Sequence, residues 1–122
     1  MAKRVLIADD EPNIVAALEY LLQQDGYEVL IARNGDEALA ILEEHIPDLV
    51  LLDVMMPRKS GYEICTRIRD RPEWRHIKVV MLSAKGRDAE VTKGLALGAD
   101  LYVTKPFSTR ELMGKINSLL GR

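Results

Sequence analysis

The chain has 122 residues, with 17 Lys and Arg against 19 Asp and Glu for a formal charge of −2, and 48% of its residues are apolar, which supports one globular domain and excludes two. That balance lacks the concentrated Lys and Arg that nucleic-acid phosphates demand, so no direct nucleic-acid binding is expected. Cys65 is the only cysteine, which excludes an internal disulfide framework and a thiolate zinc cage and points to a reducing, cytoplasmic setting.

The first apolar run, Val5 to Ala8, is closed by Asp9, too soon for a signal-peptide core or an inserted membrane span, and it reads as a buried strand. Behind Pro12, whose fixed φ suits a first turn, Ile14, Ala17, Leu18, Leu21 and Leu22 follow helical spacing until Asp25-Gly26 ends the helix. Val29 to Ala32 is the second strand. Asn34 with Glu37 three residues on forms a capping-box pattern and opens a second helix that must stop before Pro47. Leu49 to Leu52 follows as a strand, and Ser60-Gly61-Tyr62-Glu63 repeats the box for a third helix ending near Pro72. After the strand Val79 to Leu82, Asp88 is expected to cap a fourth helix that turns Val91, Leu95 and Ala96 inward until Gly98. Leu101 to Val103 is the last strand, and the box Ser108 to Glu111 opens a fifth helix burying Leu112, Ile116, Leu119 and Leu120.

Five strands alternating with five helices make an α/β fold. Right-handed crossovers place helices on both faces of a parallel sheet, so a doubly wound (βα)5 domain is expected over residues 1–122. Such sheets hold their ligands beyond the carboxyl ends of the strands. Those ends carry Asp9 and Asp10, then Asp53, Ser83 and Lys105. Each residue alone has a plain structural reading as a turn former, a helix cap or a loop hydroxyl. Three carboxylates crowded into one crevice oppose folding by mutual repulsion unless a cation joins them, and all-oxygen ligands favour Mg²⁺ or a substitute such as Mn²⁺. Phosphoryl transfer fits that set, because it needs positioning and charge neutralisation above all. Asp53 is then the candidate nucleophile and would carry the phosphoryl group as an acyl phosphate. Lys105 would pair with one phosphate oxygen and the Ser83 hydroxyl would donate to another. Lys105-Pro106 is a candidate cis peptide, a geometry that X-Pro bonds alone adopt at small cost.

Asp9-Asp10-Glu11, Asp53-Val54-Met55-Met56-Pro57 with Gly61 beyond it, Met81-Leu82-Ser83-Ala84 and Lys105-Pro106-Phe107, in this order and spacing, resemble the receiver domain of two-component response regulators across nearly the whole chain. The resemblance implies the flavodoxin-like strand order 2-1-3-4-5. It implies Asp53 as phosphoacceptor, Asp10 as a direct Mg²⁺ ligand, the Met55 backbone carbonyl as another, and Asp9 acting through water. It makes Ser83 and Tyr102 a switch pair and Lys105 the phosphate-binding lysine. Its partners would be a sensor histidine kinase or a histidine phosphotransfer protein, and an effector reading the face of the fourth helix, fifth strand and fifth helix. That face is similar to the dimerising face of DNA-binding response regulators, but Leu101 stands where a second acid is usual, so a monomer or a weak phosphorylation-dependent dimer is expected. The sequence ends at Gly121-Arg122, which leaves a stand-alone regulator and a receiver cut from a longer protein as the two expectations.

Competing functions fit less well. A Mg²⁺-dependent aspartyl phosphatase of the haloacid dehalogenase type calls for a second Asp two residues after the nucleophile, where this chain has Met55. An FMN carrier would set its phosphate against Asp9-Asp10-Glu11. Nucleotide-binding glycine loops are absent from the sequence. An interaction module that is never phosphorylated has no need of the whole acidic set. Among the remaining features, Tyr102 reads without the resemblance as a half-buried aromatic, His45 and His76 as surface residues, and Cys65 as packing. Arg67-Ile68-Arg69-Asp70-Arg71 reads as a solvated helix end, and Trp74, before the fourth strand, suggests no function.

Overall fold

The computed structural model describes residues 2–84 and 86–122. In chain order the elements are β1 (Arg4–Ala8), α1 (Pro12–Gln24), β2 (Glu28–Ala32), α2 (Gly35–Glu44), β3 (Leu49–Asp53), α3 (Gly61–Asp70), a 3₁₀ turn (Pro72–Trp74), β4 (Lys78–Ser83), α4 (Asp88–Ala96), β5 (Leu101–Thr104) and α5 (Thr109–Leu119). The strands form one parallel sheet in the order β2-β1-β3-β4-β5, as the resemblance implies. Three boxes cap as expected: the side chains of Asn34, Ser60 and Ser108 accept hydrogen bonds from the backbone N–H of Glu37, Glu63 and Glu111. No helix among the described residues is long and apolar enough to cross a membrane.

The period-2 alternation of side chains along a strand divides the core in two. Val5, Ile7, Leu49, Leu51, Val80 and Leu82 pack on one face against Val15, Leu18 and Leu22 of α1 and Leu112, Met113 and Ile116 of α5. Leu6, Ala8, Val50, Leu52, Val79 and Met81 pack on the other against Ala38 and Leu42 of α2 and Ile64, Cys65 and Ile68 of α3. Cys65 is thus core packing, while His45 and His76 are exposed.

Three expectations about side chains are corrected. On α1, Val15 is buried and Ala17 is exposed. On α4, Asp88 is the first helical residue and the N-cap is Arg87, with no side-chain cap. Leu95 is 46% exposed and Ala96 is exposed, with Gly94 the buried residue of that helix. The cause is close approach: a Cβ at Gly94 would lie 2.8 Å from both Met81 Sδ and the Tyr102 ring. That contact fixes the rotation of α4, and the next two residues, at about 100° per residue, point away from the sheet.

The third correction concerns Arg69, which is not solvated. Its Nε donates to the Gly98 carbonyl at 2.9 Å, Nη1 donates to those of Ile77 at 2.8 Å and Arg75 at 3.1 Å, and Nη2 to Asp100 Oδ2 at 3.0 Å. Asp100 also accepts from the Val79 N–H at 2.8 Å. The planar guanidinium thus ties α3 to the loops entering β4 and β5. Arg69→Met should lower stability by about 2–3 kcal/mol, because it removes four hydrogen bonds and strands the part-buried Gly98 and Ile77 carbonyls. Urea denaturation measures this, and a loss within about 0.5 kcal/mol would show the clamp to be dispensable. Trp74 is buried in the same end of the core, with the Arg71 guanidinium 3.9 Å over its ring.

Candidate functional site

The order of the sheet reverses between β1 and β3, and that switch point places the first and third strand ends side by side. Ala8 is in register with Leu52, so Asp9 lies beside Asp53, the last residue of β3. Ser83 ends β4 next to Asp53, opposite Thr104 of β5, and the Lys105 N–H donates to the Ser83 carbonyl at 2.7 Å. Asp9, Asp53 and Ser83 are buried, while Asp10 is exposed. Asp9, Asp10 and Asp53 can each offer one carboxylate oxygen within 4.8 Å of the others.

Lys105 lies at the centre of these acids. Its Nζ is 3.2 Å from Asp9 Oδ2, 3.0 Å from Glu11 Oε1 and 3.7 Å from Asp53 Oδ1. The peptide bond to Pro106 is cis. Burial works against the ammonium, yet Glu11, Asp9 and Asp53 outweigh it and hold the Lys105 pKa above its ordinary value. The Asp53 carboxyl is pushed up to about 6, first by burial and then by Asp9 and Asp10. The Met55 N–H, which donates to Asp53 Oδ1 at 3.1 Å, and Lys105 both oppose that rise. One ammonium therefore leaves the crevice acid-rich. Two buried carboxylates, one exposed carboxylate and an opening to solvent through Asp10 suit a hard cation with oxygen ligands, so the residues present fit Mg²⁺.

The β3–α3 loop is set by close packing. A Cβ on Gly61 would come within 2.5 Å of the Asp53 carbonyl oxygen and 2.9 Å of Val54 Cα, and the Gly61 N–H donates to the Val54 carbonyl at 3.0 Å. Arg58 turns the loop at φ 73°, and Arg58 and Lys59 both pair with Asp36 at the start of α2. The Met55 side chain is exposed beside the crevice, and Tyr102 is half-buried over Gly94.

Asp9, Asp10, Asp53 and Lys105 are brought together as the strand ends imply, and Ser83 and Tyr102 lie on the β4 and β5 side. The residue given no role of its own is Glu11, whose carboxylate accepts from Lys105 while its backbone forms the N-cap of α1. Its place at the end of the acidic run was the available signal. Asp100, just before β5 and beside Leu101, pairs within the chain with Arg69.

The response regulator receiver domain profile matches residues 5–117. The chain belongs to this family. Receiver domains serve two-component response regulators as phosphoacceptor switches and are not enzymes acting on outside substrates. This receiver domain is 44% identical over all 122 residues to the phosphate regulon transcriptional regulatory protein PhoB of Rhizobium meliloti (strain 1021), of which it spans 54%, about half the length. In structure it is similar to the beryllofluoride-activated receiver domain of DrrB, with TM-score 0.91, 35% identity and both chains fully covered; DrrB is a Thermotoga maritima OmpR/PhoB homologue. It is also similar to a CheY-like receiver domain protein from Methanospirillum hungatei JF-1, with TM-score 0.90 and 33% identity over 99% of this chain and 95% of that one.

Proposed function

We propose that this receiver domain accepts a phosphoryl group on Asp53 from the phosphohistidine of a sensor kinase or phosphotransfer protein. The observation that carries the reading is Asp53 itself, a buried carboxylate at the switch point, 3.7 Å from a lysine and within ligand distance of two further acids. An Asp53 carboxylate oxygen attacks phosphorus, the P–N bond breaks, and the imidazole nitrogen leaves with the electron pair and takes up a proton. Asp10, Asp53 and the Met55 backbone carbonyl would hold Mg²⁺ directly and Asp9 would hold it through water. The ion supplies charge neutralisation for the phosphoryl oxygens. Lys105, shared between Asp9 and Glu11 in the resting site, is placed to pair with one phosphoryl oxygen, and the Ser83 hydroxyl donates to another. Water later attacks phosphorus, the bond from phosphorus to the Asp53 oxygen breaks, and inorganic phosphate leaves as the carboxylate is restored.

The new acceptor oxygens draw in Ser83 and Lys105, Tyr102 responds, and the face of α4, β5 and α5 changes for an effector. With Asp100 engaged by Arg69 and Leu101 apolar, that face is read as serving a monomer or a weak phosphorylation-dependent dimer. A phosphatase of the haloacid dehalogenase type is disfavoured because the chain at position 55 offers a thioether and no acid.

Incubation with acetyl phosphate and Mg²⁺, followed by intact-mass analysis, tests the assignment. One phosphoryl adduct is expected on the parent chain, none on Asp53→Asn, and none on the parent chain after chelation. Undiminished phosphorylation of Asp53→Asn would remove Asp53 from the role.

A further inference from the structure

The loop that follows Asp53 is held from outside by the first turn of α2. Gly35, the first residue of that helix, lies so close that a Cβ there would come within 2.4 Å of Lys59 Cβ and 2.6 Å of the Lys59 carbonyl oxygen. The Gly35 N–H donates to the Pro57 carbonyl at 3.3 Å, and the Lys59 N–H donates to the same oxygen at 2.9 Å. Asp36 extends the contact, with Oδ1 3.2 Å from Lys59 Nζ and Oδ2 3.5 Å from Arg58 Nη1. Between Pro57 and Lys59, Arg58 stands at φ 73°, a left-handed backbone that a residue with a Cβ adopts at a cost and keeps where its surroundings hold it. The turn that does the holding is itself fixed. Asn34 Oδ1 accepts from the Glu37 N–H at 2.9 Å, and Glu37 Oε1 accepts from the Arg33 N–H at 2.9 Å. At its inner end the same loop meets the crevice, where the Met55 N–H donates to Asp53 Oδ1 and Gly61 packs on the Asp53 carbonyl oxygen.

We infer that Asp36 is a positioning residue: where Gly35 admits the close approach, its carboxylate braces the β3–α3 loop and so holds the Met55 backbone carbonyl where it would meet Mg²⁺. The ion demands near-ideal octahedral placement of its oxygens, and a carbonyl on a loose loop must be ordered on binding, which weakens affinity. Asp36 stands apart from the three acids of the crevice, because Arg58 and Lys59 engage its carboxylate. The inference deepens the Mg²⁺ reading of Met55 proposed above and rests on it for its functional meaning. The brace itself is a property of the metal-free fold.

Titration calorimetry with Mg²⁺, together with amide hydrogen exchange in the metal-free protein, tests the brace in Asp36→Asn, Lys59→Met and the double variant. The two substitutions separate a brace from a simple field. Asparagine removes a negative charge and methionine a positive one, so charges acting on the ion through space would weaken Mg²⁺ binding in Asp36→Asn and strengthen it in Lys59→Met. A brace weakens both. The loss should be about threefold to fivefold for Asp36→Asn, which gives up both pairs, and about twofold for Lys59→Met, which gives up one and keeps the stem against Gly35. The double variant should bind no more weakly than Asp36→Asn alone. Without metal, Asp36→Asn should speed exchange at Met55 and Gly61 about threefold to fivefold, with Val5 and Ile7 of β1 unchanged. Tighter Mg²⁺ binding by Lys59→Met, undiminished binding by Asp36→Asn, a fully additive double variant, unchanged exchange at Met55 and Gly61, or equal acceleration in β1 would each overturn the brace. If the parent chain binds no Mg²⁺, the metal reading fails, while exchange at Met55 and Gly61 still decides whether Asp36 holds the loop.

Discussion

In metal-free buffer, Asp53→Asn is expected to exceed the parent chain in stability by about 3 kcal/mol at pH 8 and by nothing measurable at pH 3. Burial, with Asp9 and Asp10 adding to it, lifts the Asp53 carboxyl from its ordinary 3.8 to about 6. The native state therefore holds this proton more tightly than the unfolded chain does. Below pH 3.8 both states are protonated and the group has no effect on stability. As pH rises through that value the unfolded chain ionises first, and the native state loses stability until pH passes about 6. Asparagine keeps the neutral shape and undergoes no such loss. Saturating Mg²⁺ should narrow the gap at pH 8, because a cation bound only by the folded acidic set stabilises the parent chain by mass action. Urea denaturation of both proteins at pH 3, 5 and 8 provides the measurement. A difference that does not change with pH would show that the Asp53 carboxyl is not raised by its surroundings.

The second large effect is expected from Gly61→Ala. Alanine is ordinarily the better helix former by about 1 kcal/mol, so propensity alone predicts a gain. The methyl group would have to lie 2.5 Å from the Asp53 carbonyl oxygen, 2.9 Å from Val54 Cα and 3.0 Å from the Asp53 carbonyl carbon. These are backbone atoms of a central strand end and cannot swing aside as a side chain would. The strain should therefore reverse the sign and destabilise the domain by about 2 kcal/mol. Relief comes by moving α3 away or by moving Asp53, and either displaces the phosphoacceptor from Lys105. Phosphorylation by acetyl phosphate is expected to slow by about tenfold to a hundredfold. A variant as stable as the parent and as quickly phosphorylated would show that the loop yields without moving the site. Slow phosphorylation with unchanged stability would assign the cost to geometry alone.

The division between what could and could not be read from the sequence follows the range of the interactions. Asn34, Ser60 and Ser108 each announce a helix start because the capping bond spans three residues, and the helices begin where those bonds form. The failure at α4 is of the same physical kind. Asp88 lacks a residue three positions on that completes a box, and spacing alone could not show that Tyr102 and Met81 would press on Gly94 and turn Leu95 and Ala96 outward. Within the Arg67 to Arg71 run, nothing local distinguishes Arg69 from its neighbours. Its acceptors, Ile77, Gly98 and Asp100, lie up to 31 residues away.

The sequence by itself determined the order of strands and helices and the acids and lysine at the strand ends, since both rest on residue type and short spacing. With the topology these also placed the crevice. Only the tertiary structure decided which charges meet and how they share. Lys105 bridges Asp9 and Glu11 from 96 and 94 residues away, Asp53 is raised to about 6 by its burial, and the Tyr62 hydroxyl of α3 donates to the Glu90 carbonyl of α4. Those properties depend on the distance between residues remote in the chain and on the exclusion of water around them. Neither exists until the sheet has assembled and its helices have closed over it.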